Sequence, residues 1–106
     1  MREEAEILGL FSGLRRETLH VWIERGWLAP ARGGEGYVFR EIDVARLRLI
    51  VEFRTDLALE DDALDVVLPL LDQVHGLRRE LNRLADAVNA QPQDVRARIT
   101  AHLSES

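Results

Sequence analysis

The stretch TLHVWIERGWLAPARGGEGYVFREIDVARL, residues 18–47, contains the signals that set the architecture of this chain. Gly26 is expected to end a helix because glycine adopts positive φ without strain, and Pro30 prevents that helix from resuming. The glycine-rich turn at residues 33–36 and the alternation across Tyr37–Phe39 predict a small β-hairpin. A further helix follows from Glu41, so the order is helix, turn, hairpin, helix.

The helices around this stretch are predicted from apolar spacing. A short first helix is expected over Arg2–Leu8 and a second over Arg15–Arg25, and Trp27 and Leu28 are expected to fold back on the core. The third helix is expected over Glu41–Thr55. The second helix would bury Leu19, Trp22 and Ile23, and the third a stripe of Ile42, Ala45, Leu49, Ile50 and Phe53 widened by Val44, Leu47 and Val51.

A long element with a heptad repeat begins near Glu60 and is typical of a coiled coil. Pro69 and Gly76 interrupt it, and because proline costs about 3 kcal/mol inside a helix, we expect a break or kink at one of them. A short helix over Asp94–Leu103 is expected to end the chain. The repeat consists of Ala63, Val67, Leu70, Val74, Leu77, Leu81, Leu84 and Val88.

These elements predict a mainly α fold, a winged helix-turn-helix with a small β wing plus a coiled-coil-like helix near the C-terminus. Three parts are expected: a degenerate winged helix-turn-helix over residues 1–58, an acidic and heptad dimerisation helix over residues 59–90, and a short helix or tail over residues 91–106.

Acidic residues outnumber basic ones, and they are unevenly placed. The 106 residues carry a net charge of −5, and residues 56–72 contain six carboxylates and no basic residue. Because affinity for DNA depends largely on cations that neutralise phosphates, this balance disfavours a nucleic-acid binder and favours a basic protein partner. With no cysteine, no secretory signal and no apolar run long enough for a membrane span, a cytoplasmic location is expected.

No residue pattern indicates catalysis. His20, His75 and His102 lie on separate segments without the spacing of metal ligands, and Ser12 has no nearby base. The turn at residues 33–36 lacks the following lysine of a phosphate-binding loop. We therefore expect no enzyme activity, no metal and no cofactor.

The segment Thr18–Pro30, followed by aromatic residues in the wing, resembles the MerR-type transcription regulators. That resemblance implies DNA binding as a dimer, although His20-Val21 stands where the family carries an arginine-tyrosine pair for DNA phosphates. Ordinary arginines paired with nearby glutamates are the simpler interpretation of its basic residues. The DNA-binding candidates under this alternative are Arg15, Arg16, Arg32 and Arg40.

A second resemblance covers nearly the whole chain. Trp22–Pro30, Val38–Leu47, Asp56–Leu59 and Val66–Arg78, in this order, resemble the CbpM-type chaperone modulators, which are small MerR-like proteins. The resemblance implies binding to the J-domain of a DnaJ-type co-chaperone similar to CbpA. It also implies that both J-domain stimulation of Hsp70 and DNA association by the co-chaperone are restrained.

The acidic stretch supplies the candidate partner surface. Its carboxylates would steer a basic J-domain helix, and leucines would add affinity. Alternatively the stretch is a solvated helix start in which Asp61 and Asp62 offset the helix dipole. A separate alternative is that the chain binds a protein unrelated to chaperones. The predicted partner-binding residues are Asp56, Leu57, Leu59, Glu60, Asp61, Asp62, Leu64 and Asp65.

The heptad stripe allows two interpretations. It either packs on the core of its own chain or pairs with a second copy, and its length favours an antiparallel homodimer. The predicted dimerisation residues are Val74, Leu77, Leu81, Leu84 and Val88.

Overall fold

A computed structural model describes residues 1–105, and Ser106, at the end of the predicted tail, lies outside the described residues. The described chain is mainly helical, with a winged helix-turn-helix as the sequence predicted; it contains five helices and one three-stranded antiparallel sheet. The elements are β1 (Arg2–Glu3), α1 (Glu4–Leu10), α2 (Arg16–Glu24), β2 (Ala31–Gly33), β3 (Gly36–Phe39), α3 (Glu41–Thr55), α4 (Asp61–Asn89) and α5 (Gln93–Ser104).

The chain divides into two compact units, of which the first is Met1–Leu68 and the second begins at Pro69. The sequence placed the first boundary ten residues earlier, after residue 58. Leu64 and Leu68, in the first turns of α4, are both fully buried or nearly so. Since they belong to the first unit, the start of α4 is part of the winged body.

The wing of the first unit is a sheet in which β3 lies between β1 and β2. Ala31 pairs with Val38 on one side of β3, and Arg2 pairs with Phe39 on the other. The predicted hairpin is therefore confirmed. Strand β1 was missed because two residues are too short to show an alternating pattern, and the first helix consequently begins later than predicted.

The core of the first unit gathers around two tryptophans. Gly26 has φ +80° and ends α2, which turns Trp27 back so that its ring centroid lies 6.0 Å from that of Trp22. Both tryptophans and Leu28 are buried, as predicted. The other buried apolar residues are Ile7, Phe11, Leu19, Phe39, Val44, Leu47, Ile50, Leu64 and Leu68.

Helix α3 has the predicted bounds and buries part of the predicted stripe. Ile50 and two residues of the widened stripe, Val44 and Leu47, are buried, whereas Ile42 is 68% exposed and Ala45 is exposed. The assignment of Ile42 and Ala45 to the core is wrong, because the apolar positions were spread too widely for periodicity alone to choose the centre of the buried face. The helix begins with a capping box, in which Asp43 accepts a hydrogen bond from the backbone N–H of Arg40 at 2.8 Å. Asp43 is buried.

Helix α4 continues through both expected breakpoints. Pro69 and Gly76 lie inside the helix Asp61–Asn89, so the alternative of two separate helices is wrong, and the alternative of one kinked helix stays a prediction. Proline removes one backbone donor, but its fixed φ near −65° is compatible with a helix. Glycine lowers helix stability without forbidding the conformation.

The second unit contains the remainder of α4, a short turn and α5. Pro92 occupies the N-cap of α5, whose range agrees closely with the predicted terminal helix. Several large apolar side chains of this unit are exposed: Leu70, Val74, Leu77, Leu81, Leu84 and Leu103.

Within residues 1–105, no helix combines the length and the hydrophobicity that crossing a lipid bilayer requires.

Candidate functional site

The acidic stretch begins in the loop between α3 and α4. Asp56 caps the end of α3, and the backbone N–H of Leu59 donates to the carbonyl of Phe53 at 2.9 Å. Ala58 adopts a left-handed conformation with φ +52°, which reverses the chain direction without a glycine. This tight loop leaves Leu57 61% exposed and also exposes Asp56 and Glu60.

Two arginines engage the carboxylates at the start of α4. Arg25 contacts Asp65 through two bonds, from Nη2 to Oδ2 at 2.6 Å and from Nε to Oδ1 at 3.3 Å. Its Nη1 also donates to Asp61 at 3.1 Å, and Arg54 forms a further ion pair with Asp61. The indole Nε1–H of Trp27 donates to Asp65 Oδ1 at 2.7 Å. We call Arg25, Trp27, Arg54, Asp61 and Asp65 the arginine clamp.

The clamp is also packed on aromatic rings. The Arg25 guanidinium lies 5.3 Å from the ring centroid of Trp27, and that of Arg54 lies 5.8 Å from the ring of Trp22. Cation–π contacts of this kind add to charge pairing because the ring face is negative. The clamp thus fastens the start of α4 to the end of α2 and to α3.

The hydrogen bond from Arg25, supported by that from Trp27, holds the pKa of Asp65 below its ordinary value. The same bond to Asp65 raises the pKa of Arg25. Asp65 is therefore ionised throughout the physiological range and balanced by a cation of its own chain. It contributes less to a negative surface than its formal charge indicates.

The predicted partner residues consequently separate into two sets. Asp61 and Asp65 belong to the clamp, and Leu64 is fully buried, which corrects its assignment as a partner anchor: it is a core residue. Leu59 is half-buried. We call the others the exposed acidic set, with Leu57 beside it: Asp56, Glu60 and Asp62.

An open depression lies at this loop. Its volume is about 490 Å³, and Asp62 on its rim is within 3.8 Å of Arg25. The lining residues are Arg54, Ala58, Leu59, Glu60, Asp61 and Asp62.

The basic residues proposed for DNA are mostly engaged by other side chains. Arg15 lies 3.7 Å from Glu17, Arg32 donates to the hydroxyl of Tyr37 at 3.2 Å, and Arg40 pairs with Asp43. Arg16 is exposed. Exposed glutamates alternate with these arginines at Glu17, Glu24 and Glu35, so α2 and the wing do not present a continuous positive surface in the described chain.

Sequence reasoning missed a contact that joins three elements of the winged unit. His20 on α2 bonds to Glu4 on α1, and the His20 ring meets Tyr37 of β3 edge-on at 5.6 Å. The Glu4 carboxylate packs against the backbone of Gly36, which has no Cβ; a Cβ at that position would lie only 2.6 Å from Oε2 of Glu4. The histidine therefore has a structural contact here, and among residues 1–105 no group of histidines and carboxylates is arranged to hold a metal.

Four of the five predicted dimerisation residues are exposed within the second unit, and Val88 is half-buried. Their pairing with a second copy stays a prediction.

A comparison with known families gives one match. The model of the MerR HTH family of regulatory proteins matches residues 8–86, which is most of the chain and includes α2, the wing and α3. No curated protein and no solved structure matches the chain.

Proposed function

The chain belongs to the MerR HTH family of regulatory proteins, and we propose that it acts by binding a protein, the J-domain of a DnaJ-type co-chaperone similar to CbpA. The observation that carries the proposal is the exposed acidic set at the α3–α4 loop, which lies outside the arginine clamp and beside the exposed Leu57. The proposed action is non-enzymatic and takes place in the cytoplasm.

Charge and apolar contact have separate roles in this proposal. Exposed ion pairs contribute at most about 1 kcal/mol each, so the carboxylates mainly set the encounter rate and the orientation of a basic helix. Leu57 is well placed to add affinity because it is exposed next to them. A J-domain held in this way is occluded, so that its stimulation of Hsp70 and the DNA binding of its parent protein are both inhibited.

The test is calorimetric titration of the purified J-domain from the same organism. Reversing the charge of Asp56, Glu60 and Asp62 together should abolish binding, because the attraction becomes repulsion. Asp61 and Asp65 are left unchanged, since reversing them would break the clamp and confuse loss of binding with loss of structure. The control reverses three exposed carboxylates elsewhere, Glu6, Glu35 and Asp86, and should bind nearly as the wild type. Undiminished binding by the first variant would exclude this surface.

Family membership favours a second candidate, a transcription regulator that binds DNA as a dimer. All four of its candidate residues are exposed, and two of them, Arg15 and Arg16, lie together at the start of α2. A salt-sensitive mobility shift of short duplex DNA that disappears when both are changed to alanine would favour this candidate. Our proposal expects no such shift.

We also propose that the chain forms a homodimer through the exposed stripe of α4. Burying Leu77, Leu81 and Leu84 against a second copy removes apolar surface from water. Leu81→Glu should convert the dimer to a monomer in light scattering coupled to size exclusion, because it places a charge in the seam. Leu103→Glu, an equally exposed leucine outside the stripe, should leave the mass unchanged.

A further inference from the structure

The first unit contains a small apolar groove that has no role in the contacts described above. It lies between the turn after α1, helix α2 and helix α3, and its volume is about 260 Å³. Trp22 forms part of it, and the positive φ of Gly13 (+83°) shapes the turn at its edge. The lining residues are Phe11, Ser12, Gly13, Leu14, Thr18, Trp22, Val51, Arg54 and Thr55.

Arg54 joins this groove to the acidic depression, because it lines both. Its guanidinium pairs with Asp61 and lies over Trp22, so its charge is already offset by a carboxylate. The depression that Arg54 shares is also lined by the exposed carboxylates of Glu60 and Asp62, of which Asp62 lies 3.8 Å from Arg25. An apolar recess therefore adjoins a surface with exposed carboxylates.

We propose that the groove receives one apolar side chain of the partner J-domain while a neighbouring cationic residue of the same segment docks on Glu60 and Asp62. This inference rests on the proposed function and adds to it the chemistry that the partner must present. The segment carries a leucine-sized or phenylalanine-sized side chain and an arginine or lysine on one helical face, three or four residues apart. Recognition thus needs both the apolar residue and the cation.

Size and charge support this occupant over others. Pockets for small molecules usually measure about 300–1,000 Å³, so this groove suits a single side chain better than a cofactor. A second copy of this net acidic chain is disfavoured at the depression by like charge. A basic partner segment satisfies both neighbouring surfaces.

The first experiment fills the groove. Val51→Phe adds volume on the α3 side, while Ala45→Phe introduces the same side chain at an exposed position of the same helix. The J-domain should bind Val51→Phe about tenfold or more weakly than the wild type, because a buried anchor residue is displaced. Ala45→Phe should change binding less than twofold. Circular dichroism and light scattering on each variant check the fold and the mass.

The second experiment uses the wild-type chain, so that it does not depend on the folding of a variant. On addition of the J-domain, the methyl resonances of Val51 and Leu14 should shift more than those of Val44, which is buried on α3 and does not line the groove. Equal small shifts at all three residues would overturn the inference.

The outcomes separate the two proposals. If the J-domain binds the wild type, Val51→Phe binds it equally well and the methyl resonances do not shift, the inference fails and the proposed function stands. If the J-domain does not bind the wild type, the proposed function fails and the inference fails with it. If Val51→Phe changes the mass measured by light scattering, the groove is a contact between two copies of the chain, and the inference is likewise overturned.

Discussion

The carboxylates of the acidic stretch lie close together in the sequence but fall into two sets with different surroundings in the fold. Asp61 and Asp65 bond to Arg25 and Arg54, and Asp65 also accepts from Trp27. Asp56 and Glu60, a few residues away, are exposed and lie outside these contacts. One set fastens α4 to the winged body, and the other faces solvent, where a partner can reach it.

A charge pattern in the sequence therefore locates a negative segment but does not say which of its charges remain available to a partner. A carboxylate that is balanced by an arginine of its own chain contributes to the fold, and removing it costs a modest amount of stability because the pair is partly exposed. A carboxylate without such a partner contributes to the long-range field that attracts a basic surface. The predictions below test whether these two roles are separable.

The largest effect is expected for the two leucines that flank the exposed acidic set. Leu64 is fully buried, so Leu64→Ala should lower the free energy of unfolding by about 2–5 kcal/mol. Leu57 is mostly exposed, so Leu57→Ala should change stability by less than about 0.5 kcal/mol while weakening J-domain binding. Chemical denaturation measures both, and equal stability losses would contradict the separation.

The clamp itself gives the next effect. Asp65→Asn removes the charge that Arg25 contacts twice, so the melting temperature should fall clearly. Asp62→Asn, three residues earlier and fully exposed, should leave the melting temperature nearly unchanged. Thermal unfolding followed by circular dichroism decides between them. A larger loss for Asp62→Asn would reverse the assignment of roles.

Acid should weaken the clamp in a defined direction. Because the pKa of Asp65 is lower in the folded chain than its ordinary value of 3.8, the unfolded state takes up the proton first. The stabilisation is complete above about pH 5 and is lost as the pH falls toward the folded-state pKa. Wild type should therefore lose stability below about pH 4 more steeply than Asp65→Asn. Parallel pH profiles for the two proteins would show that Asp65 is not the titrating group.

The smallest effect is expected at one exposed carboxylate. Glu60→Gln should weaken J-domain binding about two- to fivefold, mainly through the association rate, and should leave stability unchanged. Raising the salt concentration should reduce the difference between Glu60→Gln and wild type, because the interaction is screened. Surface plasmon resonance at two salt concentrations measures this, and a difference that persists at high salt would argue against simple electrostatic steering.

Much of the winged unit could be predicted from local signals. The ends of α2, the hairpin and α3 could be placed from strong local signals, namely Gly26, Pro30 and the glycine-rich turn. The centre of the buried face of α3 could not be predicted, since the predicted stripe included Ile42 and Ala45, which are exposed, beside Ile50, which is buried. The continuity of α4 through Pro69 was only one of two alternatives, because a propensity penalty does not say whether a helix breaks or continues.

The candidate site was predictable as a segment but not as a set of contacts. Arg25 and Asp65 are 40 residues apart, and no local pattern reports that they meet. The same holds for Trp27, whose indole partner lies on another helix. Only the fold separates Leu57, which is exposed, from Leu64, which is buried.

One titration tests the central claim, that exposed carboxylates and not arginines address the target of this chain. The purified protein is titrated with the J-domain of its own organism at low and at high salt, and in parallel with short duplex DNA. We expect saturable J-domain binding that weakens as salt rises, with no binding of DNA. Salt-sensitive DNA binding without any J-domain binding would contradict it.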